Sequence, residues 1–387
     1  MSINTGSDGR RTVRPQRPAR LVALPAQRRT DVDEHLALVD AFVIEVIADL
    51  ADLWARLPDE DPGSAEILGT SDLPQLIATM MRGGGKRLRP VMSYLGWLAA
   101  GGRTHGVGHR EVIKVGAALE LLHLFVLVHD DVMDESTSRR GRPTVHVQAA
   151  RLHEASDGAG SAQRFGESIA VLVGDLAHAE AGNLVAELPA PMRRIWRILV
   201  AELVAGQRRD LIGSATGRRD LSYARAVARM KSGRYTVERP LELGATAASA
   251  SPAVGTALAV YGRAIGEAFA LRDDILGVWG NPKRTGKPVG DDLVSGKPTV
   301  ILALAERRLG TRSARAALGR VGSAGFTAED LQLLQRELVE SGVVGSVEQM
   351  ITDNVRTALA ALTEDSLDPV GVEHLSAMAH RIAWRDT

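Results

Sequence analysis

The sequence predicts an all-α protein, a bundle of helices. Alanine-, leucine- and valine-rich segments run at helical spacing from about Asp31 to the C-terminus, broken by glycine, proline and serine. Strand signals are nearly absent, with few β-branched alternations and aromatics at only 4% of the chain. One segment, Glu111 to about Asp134, is apolar almost all round from Val112 to Val128. A helix apolar on every face belongs in the middle of a bundle.

Composition sets the outer limits. The chain has 387 residues, 47 basic and 47 acidic side chains and no cysteine. It is long enough to bury a sizeable core. A net charge of zero leaves no electrostatic footprint for nucleic acid. The lack of cysteine excludes disulfides and thiolate metal sites. No uninterrupted apolar run approaches the roughly 20 residues of a membrane span, so a soluble, cytoplasmic protein is expected. Residues 1 to about 30 carry Arg10, Arg11, Arg14, Arg17, Arg20, Arg28 and Arg29 without apolar periodicity. Disorder is the default for such a leader, and an organelle transit peptide is the weaker reading. One all-α domain is expected over 31–387. The stretch from Gly310 to Phe326 reads as an exposed connection.

Near the end of the apolar helix stand His123, Asp130 and Asp134, spaced i, i+7 and i+11. At about 100° per residue they share one narrow stripe, whereas Asp131 points elsewhere. Polar groups on one stripe of a buried helix look into a cavity. Asp130 and Asp134 lie one turn apart, so both carboxylates can share metal ions. Buried together they repel unless a cation compensates. The bland alternative, a solvated acidic helix end, sits poorly after a fully apolar helix. Arg139 and Arg140 follow and suit phosphate oxygens. A second acidic segment begins at Asp273 and Asp274. Two facing acidic clusters can hold one diphosphate through divalent cations such as magnesium.

Gly83-Gly84-Gly85-Lys86-Arg87-Leu88-Arg89-Pro90 is the other informative element. Its glycines permit close backbone approach, and Pro90 suits the start of a helix. Lys86 and Arg89, with His123, can form a second, metal-free anion site. The segment lacks the form of a nucleotide-binding P-loop, and a basic connector is its bland reading.

These residues carry a resemblance. The ordered set GGGKRLRP, LLHLFVLVHDDVMD, RRGRPTVH, GQRRD, KSGRYTVERP, FALRDDILG and GKPVGDD resembles the trans-type isoprenyl diphosphate synthases, the polyprenyl synthetase family, from about Gly83 to Lys297. The resemblance implies an isoprenoid synthase-type helical bundle, three magnesium ions, usually a homodimer, and condensation of isopentenyl diphosphate with an allylic diphosphate. It makes Asp130 and Asp134 metal ligands with Asp131 supporting, and Asp273 a ligand with Asp274 beside it. Lys86, Arg89 and His123 become the isopentenyl diphosphate site, with Arg140 shared. Arg139, Lys231 and Lys287 fall on the allylic diphosphate, with Lys297 a third lysine. Gln207 and Asp210 line the reaction centre, and Ser232 sets a hydroxyl beside it. Phe125 and Val126 are the chain-length positions, with Phe125 expected as the tunnel floor. The product expected is geranylgeranyl diphosphate (C20), then farnesyl diphosphate (C15).

The sequence departs from the family pattern in three places. Gly277 stands where the second acidic motif usually ends in a third aspartate. Phe269-Ala270 replaces Phe-Gln, and Lys231-Ser232 replaces Lys-Thr. A class I terpene cyclase would also use an aspartate-rich motif. It would not need GGGKRLRP or His123. A non-catalytic regulatory subunit would be expected to lose the first acidic motif, which this chain keeps.

Overall fold

A computed structural model describes residues 26–57, 67–69, 72–106, 108–281 and 289–385, with side chains from residue 31. The helices in chain order are α1 (Ala26–Trp54), α2 (Leu73–Arg82), α3 (Leu88–Ala99), α4 (His109–Met133), α5 (Val145–Ala155), α6 (Ala162–Ala186), α7 (Ala190–Ala215) and α8 (Leu221–Val227). A π-helix, Ala228–Glu238, runs on into α9 (Arg239–Ala247), then α10 (Pro252–Trp279). The last six are α11 (Asp291–Val294), α12 (Val300–Arg308), α13 (Arg312–Arg320), α14 (Ala328–Glu340), α15 (Val343–Ala361) and α16 (Pro369–Ala383).

The expected buried helix is α4, which packs on α6, α3 and α1. On the other side of the cavity α10 packs on the π-helix and α15. Side-chain caps set many of the starts. Asp72, Ser161, Asp220, Ser251, Thr299, Thr311, Thr327 and Asp368 each accept a bond from a backbone N–H of the first turn. Pro252 and Pro369 open their helices where an N–H has no partner to lose.

Four features differ from the sequence expectation. The segment from Gly310 to Phe326 is not a bare connection, because α13 occupies its middle. Thr311 caps that helix, and Ala314, Ala317 and Leu318 at i, i+3 and i+4 form a buried stripe. The first helix begins at Ala26, inside the stretch read as a leader; residues 1–25 lie outside the described residues. Helices α4 and α6 are long and apolar enough to cross a membrane by length and composition. However, 61% of the most apolar stretch of α4 is buried inside the fold, so packing accounts for its composition. Finally, a short antiparallel hairpin pairs Ser138–Arg139 (β1) with Arg142–Pro143 (β2). Its central residues Arg140 and Gly141 have φ of 52° and 73°. Positive φ at both positions gives the turn whose twist matches a two-residue hairpin.

Helix α3 lies against α9 with almost no space between backbones. A Cβ built at Gly244 would fall 1.7 Å from the Ser93 carbonyl oxygen, and one at Gly96 2.2 Å from that of Leu241. Backbone atoms cannot rotate away as side chains can, so the helices would have to separate. Gly244→Ala is predicted to destabilise the fold by about 2 kcal/mol or more, read from the urea unfolding midpoint.

Candidate active site

A cavity of about 770 Å³ opens between α4, α10 and the π-helix. One end is basic. The glycine turn before α3 presents Lys86, the first turn of α3 presents Arg89, and the hairpin presents Arg140. Arg140 donates to the Gly84 carbonyl, and its guanidinium lies 3.3 Å from where a Cβ on Gly85 would sit. Glycine at 85 therefore lets the arginine close over the turn. Arg89 lies 4.0 Å from the Tyr235 ring centroid and donates to Thr236 Oγ1 at 3.1 Å.

His123 shares a 3.0 Å hydrogen bond through Nδ1 with the Tyr235 hydroxyl. Burial, then the positive charges of Arg89, Arg139 and Arg140, hold its pKa well below the ordinary histidine value. The imidazole is therefore neutral, with Nδ1 committed to Tyr235. Burial, then the charge of Arg385, also lowers the Lys86 pKa, and Arg381 and Arg140 add to that effect.

The turn itself is held from beneath. Arg87, at φ 47°, is a non-glycine residue in the left-handed region. Its guanidinium reaches Glu120 on α4 at 2.5 Å, Asp40 on α1 at 3.0 Å and the Met81 carbonyl at 3.2 Å. These anchors compensate the strain of the turn.

The other end of the cavity interleaves carboxylates with cations. Asp130 accepts from Lys231 Nζ and Gln207 Nε2, both at 3.1 Å, and lies 3.8 Å from Arg139. Lys231 also donates to Asp210 at 2.6 Å. Asp134, at the end of α4, accepts from Lys297 at 2.7 Å. Burial opposes the charge on both lysines. Asp130 and Asp210 outweigh it for Lys231, and Asp292 and Asp134 for Lys297, so both ammonium groups titrate above the ordinary range. Asp273, on α10, is paired with Arg385, whose guanidinium lies 4.0 Å from the Phe269 ring centroid. Asp274 accepts the Val300 N–H at 2.9 Å. Burial, then the charge of Asp292, raises its pKa well above the usual carboxylate range.

Of the residues named from the sequence, Lys86, Arg89, His123, Val126, Asp130, Arg139, Arg140, Asp210, Lys231, Ser232, Asp273, Asp274 and Lys297 line this cavity. Gln207 and Asp134 join it through Asp130 and Lys297. Lys287 lies outside the described residues. Asp131 is turned into the protein, where Arg139 grips both its oxygens at 2.6–2.9 Å. Phe125 does not support a role as tunnel floor. Its ring packs on His129 and His178, with centroids 4.6 and 4.8 Å away, on the side of α4 turned from the cavity.

Sequence reading missed Tyr235, Thr236, Arg87, Glu120 and Arg385. Tyr235 stands four residues after Lys231, and Glu120 is a lone carboxylate in the apolar helix, so both left a signal. Arg385 left none, because only the packing of α16 brings it to Asp273.

The π-helix carrying Lys231 packs unusually close to its neighbours. A Cβ at Gly206 on α7 would fall 2.5 Å from the Lys231 nitrogen, and one at Gly233 2.7 Å from the Gly266 carbonyl oxygen of α10. The wide helix is thereby wedged between α7 and α10. π-Geometry of this kind is frequent at functional sites.

Aspartate carboxylates from α4 and α10 form an oxygen-only donor set, the chemistry a hard divalent cation takes. Among the described residues no three acidic or histidine side chains converge on one point. Asp130, Asp131, Asp134 and Asp273 are each drawn instead to a lysine or arginine.

Residues 71–330 match the family described as polyprenyl synthetase. The chain belongs to that family. It is a prenyltransferase of the trans-type isoprenyl diphosphate synthase class. A geranylfarnesyl diphosphate synthase of Aeropyrum pernix is 32% identical over 278 residues, 70% of this chain and 80% of that one. A geranylgeranyl diphosphate synthase of Mycobacterium tuberculosis is 33% identical over 311 residues, 78% and 80% of the two chains. The crystal structure of geranylgeranyl pyrophosphate synthase from Corynebacterium glutamicum, complexed with isoprenyl diphosphate and magnesium, is 33% identical. It superposes with a TM-score of 0.78 over 94% of this chain and 100% of that one.

Removing one partner of a buried ion pair exposes the cost of burying the other. Glu120→Ala leaves the 14%-exposed Arg87 side chain with the half-exposed Asp40 as its one remaining carboxylate partner. The variant is predicted to lose about 3 kcal/mol of stability, measured by chemical denaturation.

Proposed function

We propose that this chain condenses isopentenyl diphosphate with an allylic diphosphate, head to tail, to give geranylgeranyl diphosphate. The supporting observation is a single cavity with a basic end at Lys86, Arg89 and Arg140 and a carboxylate–lysine end at Asp130, Asp134 and Asp273. Isopentenyl diphosphate is assigned to the first end, and the allylic diphosphate to the second with Arg139, Lys231 and Lys287. Magnesium, which we infer to be three ions held by Asp130, Asp134 and Asp273, would neutralise the leaving diphosphate and ease ionisation of its C–O bond.

The side chains do the rest. Arg139 and Lys231 donate to the diphosphate oxygens as charge gathers there. Lys86, Arg89, Arg140 and neutral His123 fix the second substrate, so that its double bond meets the allylic carbon within one enclosure. Ser232 and Gln207 place neutral polar groups near the developing cation, where a second anion would collapse on it. The proton lost after carbon–carbon bond formation goes to the departing diphosphate, so no side chain acts as a strong base.

The names of the relatives differ in product, with a farnesyl diphosphate synthase of Mycobacterium tuberculosis also among them; the C20 assignment rests on the geranylgeranyl diphosphate synthases of Mycobacterium and Corynebacterium, and the cavity's apolar wall is where the chain would lie. That wall includes Leu124, Val126 and Leu127. We also infer a cytoplasmic homodimer. Val171 and Leu172 on α6, with Ile198, Val204, Leu211 and Ile212 on α7, are exposed by 40–54%. Large apolar side chains left exposed on these two helices are what would be covered by a second copy.

Purified protein incubated with magnesium, labelled isopentenyl diphosphate and farnesyl diphosphate is predicted to give labelled C20 alcohol after phosphatase treatment. Asp130→Ala should lower incorporation at least about 100-fold while leaving the circular dichroism spectrum unchanged. Failure of the parent to incorporate label with any allylic primer would overturn the proposal. For length, Phe125→Ala should leave the product unchanged and Val126→Phe should shorten it. The reverse pattern would restore Phe125 as the floor.

A further inference from the structure

The missing third aspartate of the second acidic motif has left a mark in the packing. Position 277 follows Asp273 by one helical turn, so both face the same side of α10. Both line the cavity. A Cβ built on Gly277 would fall 1.9 Å from Asp292 Oδ2, 2.5 Å from its Cγ and 3.2 Å from its Cβ. The carboxylate of Asp292 therefore already fills the volume in which a side chain at 277 would begin. Asp292 belongs to α11, a different element, and arrives there because Gly290 turns the chain at φ 77°.

A second contact ties this carboxylate to the first motif. Lys297 Nζ stands 2.7 Å from Asp134 and 3.9 Å from Asp292, between one motif and the other. The Asp292 side chain is 17% exposed, close to the 13% of Asp134. It is thus a cavity-wall carboxylate, comparable in setting to a residue the family pattern makes a ligand.

We propose that Asp292 supplies the outer carboxylate of the second acidic motif, and that glycine at 277 is the vacancy that seats it. The inference rests on the metal–diphosphate reading above. It assigns Asp292 to the ion held by Asp273, as a direct ligand or through that ion's water. It has an unusual corollary. Restoring the family's aspartate at 277 harms this chain, because the new side chain and Asp292 compete for one space and carry like charge.

The test uses the full-length protein and inorganic pyrophosphate as the anion. Manganese binding is read by electron paramagnetic resonance, alongside the magnesium dependence of condensation. Asp292→Asn is expected to weaken manganese binding about tenfold, and Gly277→Asp to weaken rather than strengthen it. The deciding variant is Gly277→Asp combined with Asp292→Gly, which moves the carboxylate back to α10. It should bind manganese more tightly than Asp292→Gly alone, so that one substitution changes sign between the two backgrounds. Melting temperatures without metal exclude misfolding as the cause. Parent-like binding by Asp292→Asn, tighter binding by Gly277→Asp, or no rescue in the double variant would overturn the assignment. If the parent itself bound no manganese with pyrophosphate, the underlying metal reading would fall, and this inference with it.

Discussion

The site depends on one constraint: carboxylates brought into a cavity cannot stand alone. Taking a charge out of water costs several kcal/mol, and two like charges side by side cost more. Here four of the acids have each been given a cation, while Asp274 accepts the Val300 N–H instead. Asp130 has Lys231, Asp134 has Lys297, Asp131 has Arg139 and Asp273 has Arg385. The elements that carry these cations come from all over the chain, so satisfying the acids of α4 and α10 draws the hairpin, the π-helix, the approach to α12 and the C-terminus round one space. The same pairs define what can enter. A diphosphate with its metal ions offers each lysine another anion and each aspartate another cation, so the partners can exchange without any charge being stranded.

The basic end solves the opposite problem. Lys86, Arg89 and Arg140 repel one another, and nothing in the turn itself would keep them together. Arg87 spends its charge inward on Glu120 and Asp40, which locks the turn, and Arg140 closes on the Gly84 carbonyl from above. Asp40 lies on α1, upstream of the family match at 71–330. A helix outside the matched segment thus helps shape the site.

Much of this was legible from residue order. The apolar run before His129 located α4 within two residues at its start, and the i, i+7 spacing correctly turned His123 and Asp130 inward. The same helical wheel placed Phe125 off the stripe, and the ring is indeed turned away; expecting it to be the floor set a family habit above that geometry. Other features were not legible because they are tertiary. No local pattern links Arg385 to Asp273 across 112 positions. The helix α13 was hidden by its arginines and Gly319, since its buried stripe is no more than Ala314, Ala317 and Leu318. Gly277 could be seen as a departure, but only packing reveals what occupies its place.

The π-helix has a consequence for how this enzyme can change over evolutionary time. A π-helix advances by one more residue per hydrogen-bonded ring than an α-helix. Losing a single residue between Ala228 and Glu238 would break the register of those wider rings. Every side chain beyond the lost residue would then turn by about 100° relative to those before it. A loss between Lys231 and Tyr235 would swing the lysine that reaches Asp130 out of line with the hydroxyl that meets His123. The length of this segment is therefore constrained together with the identities of Lys231, Gly233 and Tyr235.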